Sequence, residues 1–152
     1  MEPRWLEVAY QEMRRGVREV PGGLHNDRIL EYHASTTLKA TTDEVPWCAA
    51  FVGWCLEEAE VRSTRSASAR SYLAWGVPVS AVHIPVGAVV VIKRGGPNQP
   101  GPEVVAAQGH VGFFWGHGTP GHIVLLGGNQ SNEVGLATYP VSRMLGVRWP
   151  KE

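Results

Sequence analysis

Two cysteines, Cys48 and Cys55, are all that the chain has, and it contains no C-x-x-C or H-x-x-x-H pair. Zinc sites are built from close-set pairs of that kind, so no metal site is expected, and no cofactor either. No block of basic residues stands out. Fourteen Lys and Arg balance fourteen Asp and Glu, leaving a formal net charge of zero, which removes the electrostatic footing for a nucleic-acid partner. No stretch approaches the roughly 20 apolar residues that a bilayer span requires, so no stable membrane insertion is expected. The opening "MEPRWLEVAYQEMRRG" is amphipathic and charged, without the continuous apolar run of a secretory signal. The expectation is a protein made in the cytoplasm and moved by something else if it works outside it. No internal repeat is visible.

What is present fits one folded domain, residues 1–152, with 43% apolar residues. A helical half runs from about 3 to 76 and a strand-rich half from about 84 to 149. Pro3 suits a first turn, and Trp5, Leu6, Val8, Ala9 and Met13 form an apolar stripe, predicting a helix over 3–19 that "EVPGG" stops. Asn26 or Asp27 caps a second helix, "DRILEYHAS". A third starts near Pro46 and runs to about Glu60, and a weaker fourth covers "ASARSYLAWG". Beyond Pro78 come short strands: "VGAVVVIKR", "HVGFFWG", "HIVLLGGN", "EVGLATYP" and a brief "GVRWP". Helices first and strands afterwards make an α+β layout.

The two thiols differ by position. On one helix, seven residues rise roughly 10 Å, whereas disulfide Cα atoms lie no more than about 7 Å apart. An internal disulfide is therefore excluded if the helix forms. Cys55 lies deep in an apolar run between Trp54 and Leu56 and reads as a packed thiol. Cys48 lies in the first turn, where unpaired backbone N–H groups and the helix dipole favour a thiolate. The residues alone leave it open between packing and nucleophilic chemistry, depending on a base.

Of the six histidines, His25, His33, His117 and His122 fall in loops or at element ends, and His83 in a connection. His110 opens the strand "HVGFFW", and alternation puts it on one face with Gly112 and Phe114. It is either a surface residue or a base. A thiol–imidazole pair usually has a third member that orients the ring. Asn129, after Gly127 and Gly128, either fills that place or belongs to a simple turn.

"DEVPWCAAFVGWCL", "GHVGFF" and "GGNQSNEV", with "RILEYH" and the closing "GVRWP", resemble the small bacterial and phage cysteine peptidases near the NlpC/P60 and CHAP groups. The resemblance is closest to a branch common among bacteriophage endolysins and prophage proteins, and it covers about residues 20–150. It implies a papain-like α+β fold, N-terminal helices packed on a small antiparallel sheet of four to six strands. It implies Cys48 as nucleophile, His110 as base and Asn129 as the orienting residue; if replacing Asn129 leaves activity unchanged, Gln130 and Asn132 are the next to test. The implied substrate is a peptidoglycan stem peptide, cut at an amide within it or at its junction with the sugar. Asp43 and Glu44 are candidates for the amine of a diamino-acid residue, or simply a solvated pair. Trp47 either walls the cleft or packs. Those two acids are too few for the calcium loop of some CHAP relatives, which wants six or more oxygens.

The expected partner set is the stem peptide, a holin-type protein for release to the cell wall, and no second copy, the chain being read as a monomer. With no wall-binding module in view, targeting is expected from the cleft itself. Alternatives are a secreted antibacterial amidase effector, a non-catalytic wall-binding domain, and a zinc hydrolase, the last two disfavoured by the intact Cys48, His110 and Asn129 and by ligand spacing.

Overall fold

The computed structural model describes residues 2–20, 26–40, 46–94, 101 and 108–151. Three α-helices come first: α1 (Arg4–Arg14), α2 (Asp27–Ala34) and α3 (Cys48–Glu58). Six strands come after them, β1 (Val77–Pro78), β2 (Val89–Lys93), β3 (Gly109–His117), β4 (His122–Gln130), β5 (Glu133–Pro140) and β6 (Met144–Trp149). They form one antiparallel sheet in the order β1-β6-β2-β3-β4-β5. The α+β expectation is met, with the helices on the sheet.

The helix α1 ends five residues before the expected limit. Gly16 takes a positive φ of 72° and its N–H returns to the Met13 carbonyl at 3.0 Å, a C-terminal stop that glycine allows at little cost. The chain then runs beside β5, with Val134 N–H on Val17 O at 2.9 Å and Glu19 N–H on Asn132 O at 2.8 Å. Asn26 is the cap of α2, its side chain accepting from the Arg28 N–H at 2.8 Å. The fourth expected helix is a 3-10 turn over Ala69–Ala74. The strand Val77–Pro78 has no local sequence signature; it exists because it pairs with Trp149 and Arg148 of β6.

Every residue of α3 from Cys48 to Leu56 is buried. A helix apolar all round belongs in a core, and α3 lies between the other two helices and strands β3 and β4. Val89, Val91, Val111, Phe113 and Leu126 meet the helices, while Val90, Ile92, Phe114, Ile123 and Leu125 form a second apolar layer on the opposite face. Close approach is enforced at Gly128, where any Cβ would lie 2.6 Å from Phe51 and 2.7 Å from the Trp47 ring.

One polar cluster ties the helices together. Glu12 is buried and takes both Nε (2.6 Å) and Nη2 (2.9 Å) of Arg28, plus the Tyr32 hydroxyl at 2.6 Å. The Arg28 guanidinium also stacks 4.8 Å above the Trp54 ring of α3. Burial alone would raise the Glu12 carboxyl; Arg28 and Tyr32 more than offset it and hold it below its ordinary value. Among the described residues, no helix is long and apolar enough to cross a membrane.

Candidate active site

Cys48 is the first helical residue of α3, with Trp47 as the residue that enters the helix. Its backbone N–H and those after it have no partner in the preceding turn. The first bond of the helix is Phe51 N–H to Trp47 O at 2.9 Å. His110 is the second residue of β3, opposite Ile92 of β2. The thiol and the imidazole are both buried, and each shifts the ionisation of the other.

The second ring nitrogen has a fixed partner. His110 Nε2 lies 2.9 Å from Gln130 Oε1. The orientation of that amide is set by its other contacts. Gln130 Nε2 donates to the carbonyls of Leu125 at 3.1 Å and Gly135 at 2.6 Å, which can only accept. The Tyr139 hydroxyl donates to Oε1 at 3.2 Å, and burial pushes its pKa up to about 12, so it keeps its proton. Facing an oxygen, Nε2 of His110 must carry hydrogen. In the neutral ring Nδ1 then holds the lone pair and is the nitrogen for the thiol. The Tyr139 ring, 5.5 Å from the imidazole, packs beside it.

Burial opposes charge on both members of the pair. It pushes the Cys48 thiol up, but His110, the Val111 N–H and Arg94 together bring it below the ordinary thiol value. Burial likewise pulls His110 down, and Cys48 and Gln130 raise it above the ordinary imidazole value, against a smaller opposing effect of Arg94. Each member favours the charged form of the other, against the burial that opposes charge on both. Cys55 has no such partner; it is fully buried and its thiol is pushed well up, chiefly by that burial. Both cysteines are free.

The expectation for the third residue requires a correction. Asn129 is half-buried, has φ 56° and makes no side-chain hydrogen bond with the ring; Gln130 stands in that place. Gly127 of β4 pairs with Gly135, yet Gln130 pairs with Glu133, so β4 carries one extra residue. Such a bulge reverses the face of the residues beyond it. A regular strand would have put Asn129 on the face of Gly127; the bulge puts Gln130 there, its Oε1 2.9 Å from where a Gly127 Cβ would be. Asn129 supplies the left-handed backbone that makes the shift.

Of the two readings of Trp47, cleft wall or packing, the structure shows packing. Trp47 is fully buried against Tyr32 and beneath Gly128, with its indole N–H on Glu19 at 2.9 Å, so it packs and offers no surface to a substrate. Asp43 and Glu44 lie outside the described residues. No group of three or more His, Cys, Asp or Glu with metal-holding geometry occurs among the described residues. Residues that the sequence did not single out are Tyr139 and Arg94, neither of which has a local motif.

No family model matches the chain. No curated protein matches it either. Among solved structures, it is similar to an NlpC/P60 family protein from Bacillus cereus ATCC 10987, at 14% identity and a TM-score of 0.48. The match covers 69% of this chain and 32% of that one, so the chain spans about a third of that protein's length. What the site offers is the arrangement above: a buried thiol and imidazole, the ring's far nitrogen fixed by the Gln130 amide.

Proposed function

We propose that the protein is a peptidoglycan hydrolase of endolysin type, cleaving an amide of the cell wall through an acyl-enzyme on Cys48. The observation that carries this reading is the buried Cys48–His110 pair at a helix start, with the far nitrogen of the ring bonded to Gln130 at 2.9 Å. A packed structural thiol needs no base, and a base needs no orienting amide unless its tautomer matters. The peptidoglycan substrate comes from the sequence resemblance to NlpC/P60- and CHAP-like peptidases.

The arrangement suits acyl transfer. The Cys48 thiolate attacks the amide carbonyl carbon. Negative charge develops on the carbonyl oxygen, where the unpaired N–H groups at the start of α3, that of Cys48 included, stabilise it. The C–N bond breaks as the His110 imidazolium gives its Nδ1 proton to the leaving amine. Neutral His110 then takes a proton from water, whose oxygen attacks the thioester and releases the acid, restoring the thiol–imidazole pair. Gln130 moves no proton. It keeps the ring in the plane and tautomer that serve both transfers. In this reading the protein works on the wall as a monomer after a holin-type partner has opened the membrane.

Purified sacculi incubated with the protein, with mass analysis of the released fragments, test the proposal. New amino groups on stem peptides would identify an endopeptidase. Free stem peptides with bare glycan would identify an N-acetylmuramoyl-L-alanine amidase. Sacculi left intact by folded protein would refute the assignment.

A further inference from the structure

The start of α3 and the turn after β4 carry the two sides of the site, and one residue outside both is bonded to each. Trp47 immediately precedes Cys48, and its ring lies under Gly128, two residues before Gln130. A Cβ on Gly128 would meet Cζ3 and Cε3 of that ring at 2.7 and 2.8 Å. The ring is fully buried, so its indole N–H needs a partner inside the protein. That partner is the half-buried Glu19, whose Oε2 accepts at 2.9 Å. Glu19 is itself held. Its N–H donates to Asn132 O at 2.8 Å, and the Val134 N–H donates to Val17 O at 2.9 Å. Between those bonds Arg18 bridges to Glu133, and the Arg18 carbonyl accepts from the Asn26 side chain at 2.9 Å. The turn gripped in this way contains Asn129, Ser131 and Asn132 at positive φ of 56°, 55° and 63°, a conformation that persists only where the surroundings hold it. Gln130 stands among those three, with its Oε1 on His110.

We propose that Glu19 is a positioning residue of the site: anchored on the turn that carries Gln130, its carboxylate fixes the Trp47 indole and thereby the placing of Cys48 against His110 and Gln130. This rests on the reading of Cys48 as the nucleophile and His110 as its base. Glu19 acts through Trp47 and takes no part in the chemistry. A packing role would ask only that its volume be filled. A positioning role asks for a hydrogen-bond acceptor at that point, and its loss is felt at the thiol.

The test follows Cys48 alkylation by iodoacetamide across pH, with the label located by peptide mass. The plateau of the profile reads access to the thiol, and its midpoint reads ionisation. Glu19→Met keeps the side chain's length and removes the acceptor, whereas Glu19→Gln keeps an oxygen at the same reach. In Glu19→Met the midpoint should move up toward that of an ordinary thiol. Sacculus hydrolysis should lose on the order of 10- to 100-fold in kcat with KM unchanged, the scale of a small misplacement of reacting groups. Glu19→Gln should restore both. Label on Cys55 marks a chain that has opened; if Glu19→Met shows it, Trp47→Phe, which keeps a ring under Gly128 and removes the N–H, is read in its place with the same expectation. An unchanged midpoint in the folded variant overturns the proposal, whatever its turnover. A wild-type midpoint already at the ordinary thiol value rejects the Cys48 reading and the proposal with it. The midpoint requires no turnover, so a raised midpoint in Glu19→Met, with sacculi left intact by the wild type, keeps Glu19 in this role and rejects peptidoglycan as the substrate.

Discussion

Replacing Gln130 by methionine keeps the side chain's length and removes its amide. Four hydrogen bonds go: two donated to Leu125 O and Gly135 O, one accepted from Tyr139, and one shared with His110. At a net value of about 1 kcal/mol each, the expected loss of stability is roughly 2–4 kcal/mol. The catalytic loss has another origin. With no acceptor at Nε2, the imidazole is free to take the other tautomer and to rotate away from the thiol. General acid–base catalysis contributes typically 10²–10⁴-fold, so losing its alignment should lower kcat by about 10²-fold. Asn129→Gly is the matched control. Glycine accepts the φ of 56° more readily than asparagine does, and no side-chain hydrogen bond to the ring is lost. Sacculus-clearing rates measured beside urea unfolding curves separate the two effects. Gln130→Met should be slow while still folded, and Asn129→Gly close to wild type. In the double variant with His110→Ala, the Gln130 effect on rate should vanish, because an orienting group has nothing to act on once its ring is gone. Equal impairment of Asn129→Gly and Gln130→Met, or an unimpaired Gln130→Met, would mean that Gln130 is not the orienting residue.

Cys55→Ala should keep most activity and lose about 1–2 kcal/mol in a denaturant titration, since a buried sulfur leaves a small cavity; loss of turnover in a folded variant would reverse the roles of the two thiols. Glu12→Gln should cost about 3 kcal/mol at neutral pH by breaking a buried, doubly bonded ion pair. The Glu12 carboxyl is held below its unfolded value, so its contribution is present above the unfolded pKa and disappears as pH falls through the folded one; thermal melts should therefore show wild type and variant converging in acid. Activity should survive exhaustive dialysis against EDTA, and restoration by added metal of activity lost in dialysis would count against the mechanism.

Much of the site was legible because its signals are local. Pro46 and the apolar run after it placed Cys48 in a first turn, and "HVGFFW" placed His110 at a strand start, with Phe114 facing away from the helices as alternation requires. What failed was set by long-range packing. The extra residue in β4 has no local sequence signal, so the resemblance implied Asn129 where Gln130 stands. Whether Trp47 walls a cleft or packs was open in the sequence, and the close approach of Gly128 and Phe51 decides for packing. The end of α1 was set by the conformation of a single glycine, and "ASARSYLAWG" has no strong apolar period to distinguish an α-helix from a 3-10 turn. Val77–Pro78 is a strand only because β6 lies beside it. β6 itself begins two residues before the expected "GVRWP", with an irregularity in register between Val91 and Ile92 that sequence does not disclose.

In the proposed mechanism Cys48, held as a thiolate by His110, forms the covalent intermediate. Limited alkylation with iodoacetamide at about pH 6, well below the ordinary thiol pKa of about 8.5, tests this directly, with the modified residue identified by peptide mass and sacculus hydrolysis measured on the same samples. The Cys48 thiol is held below its ordinary value by His110 against the opposing effect of burial, so its alkylation should persist to lower pH than that of an ordinary thiol. One label per chain is expected, on Cys48, with activity lost in proportion. Full labelling of Cys48 with hydrolysis undiminished would contradict its role as the nucleophile.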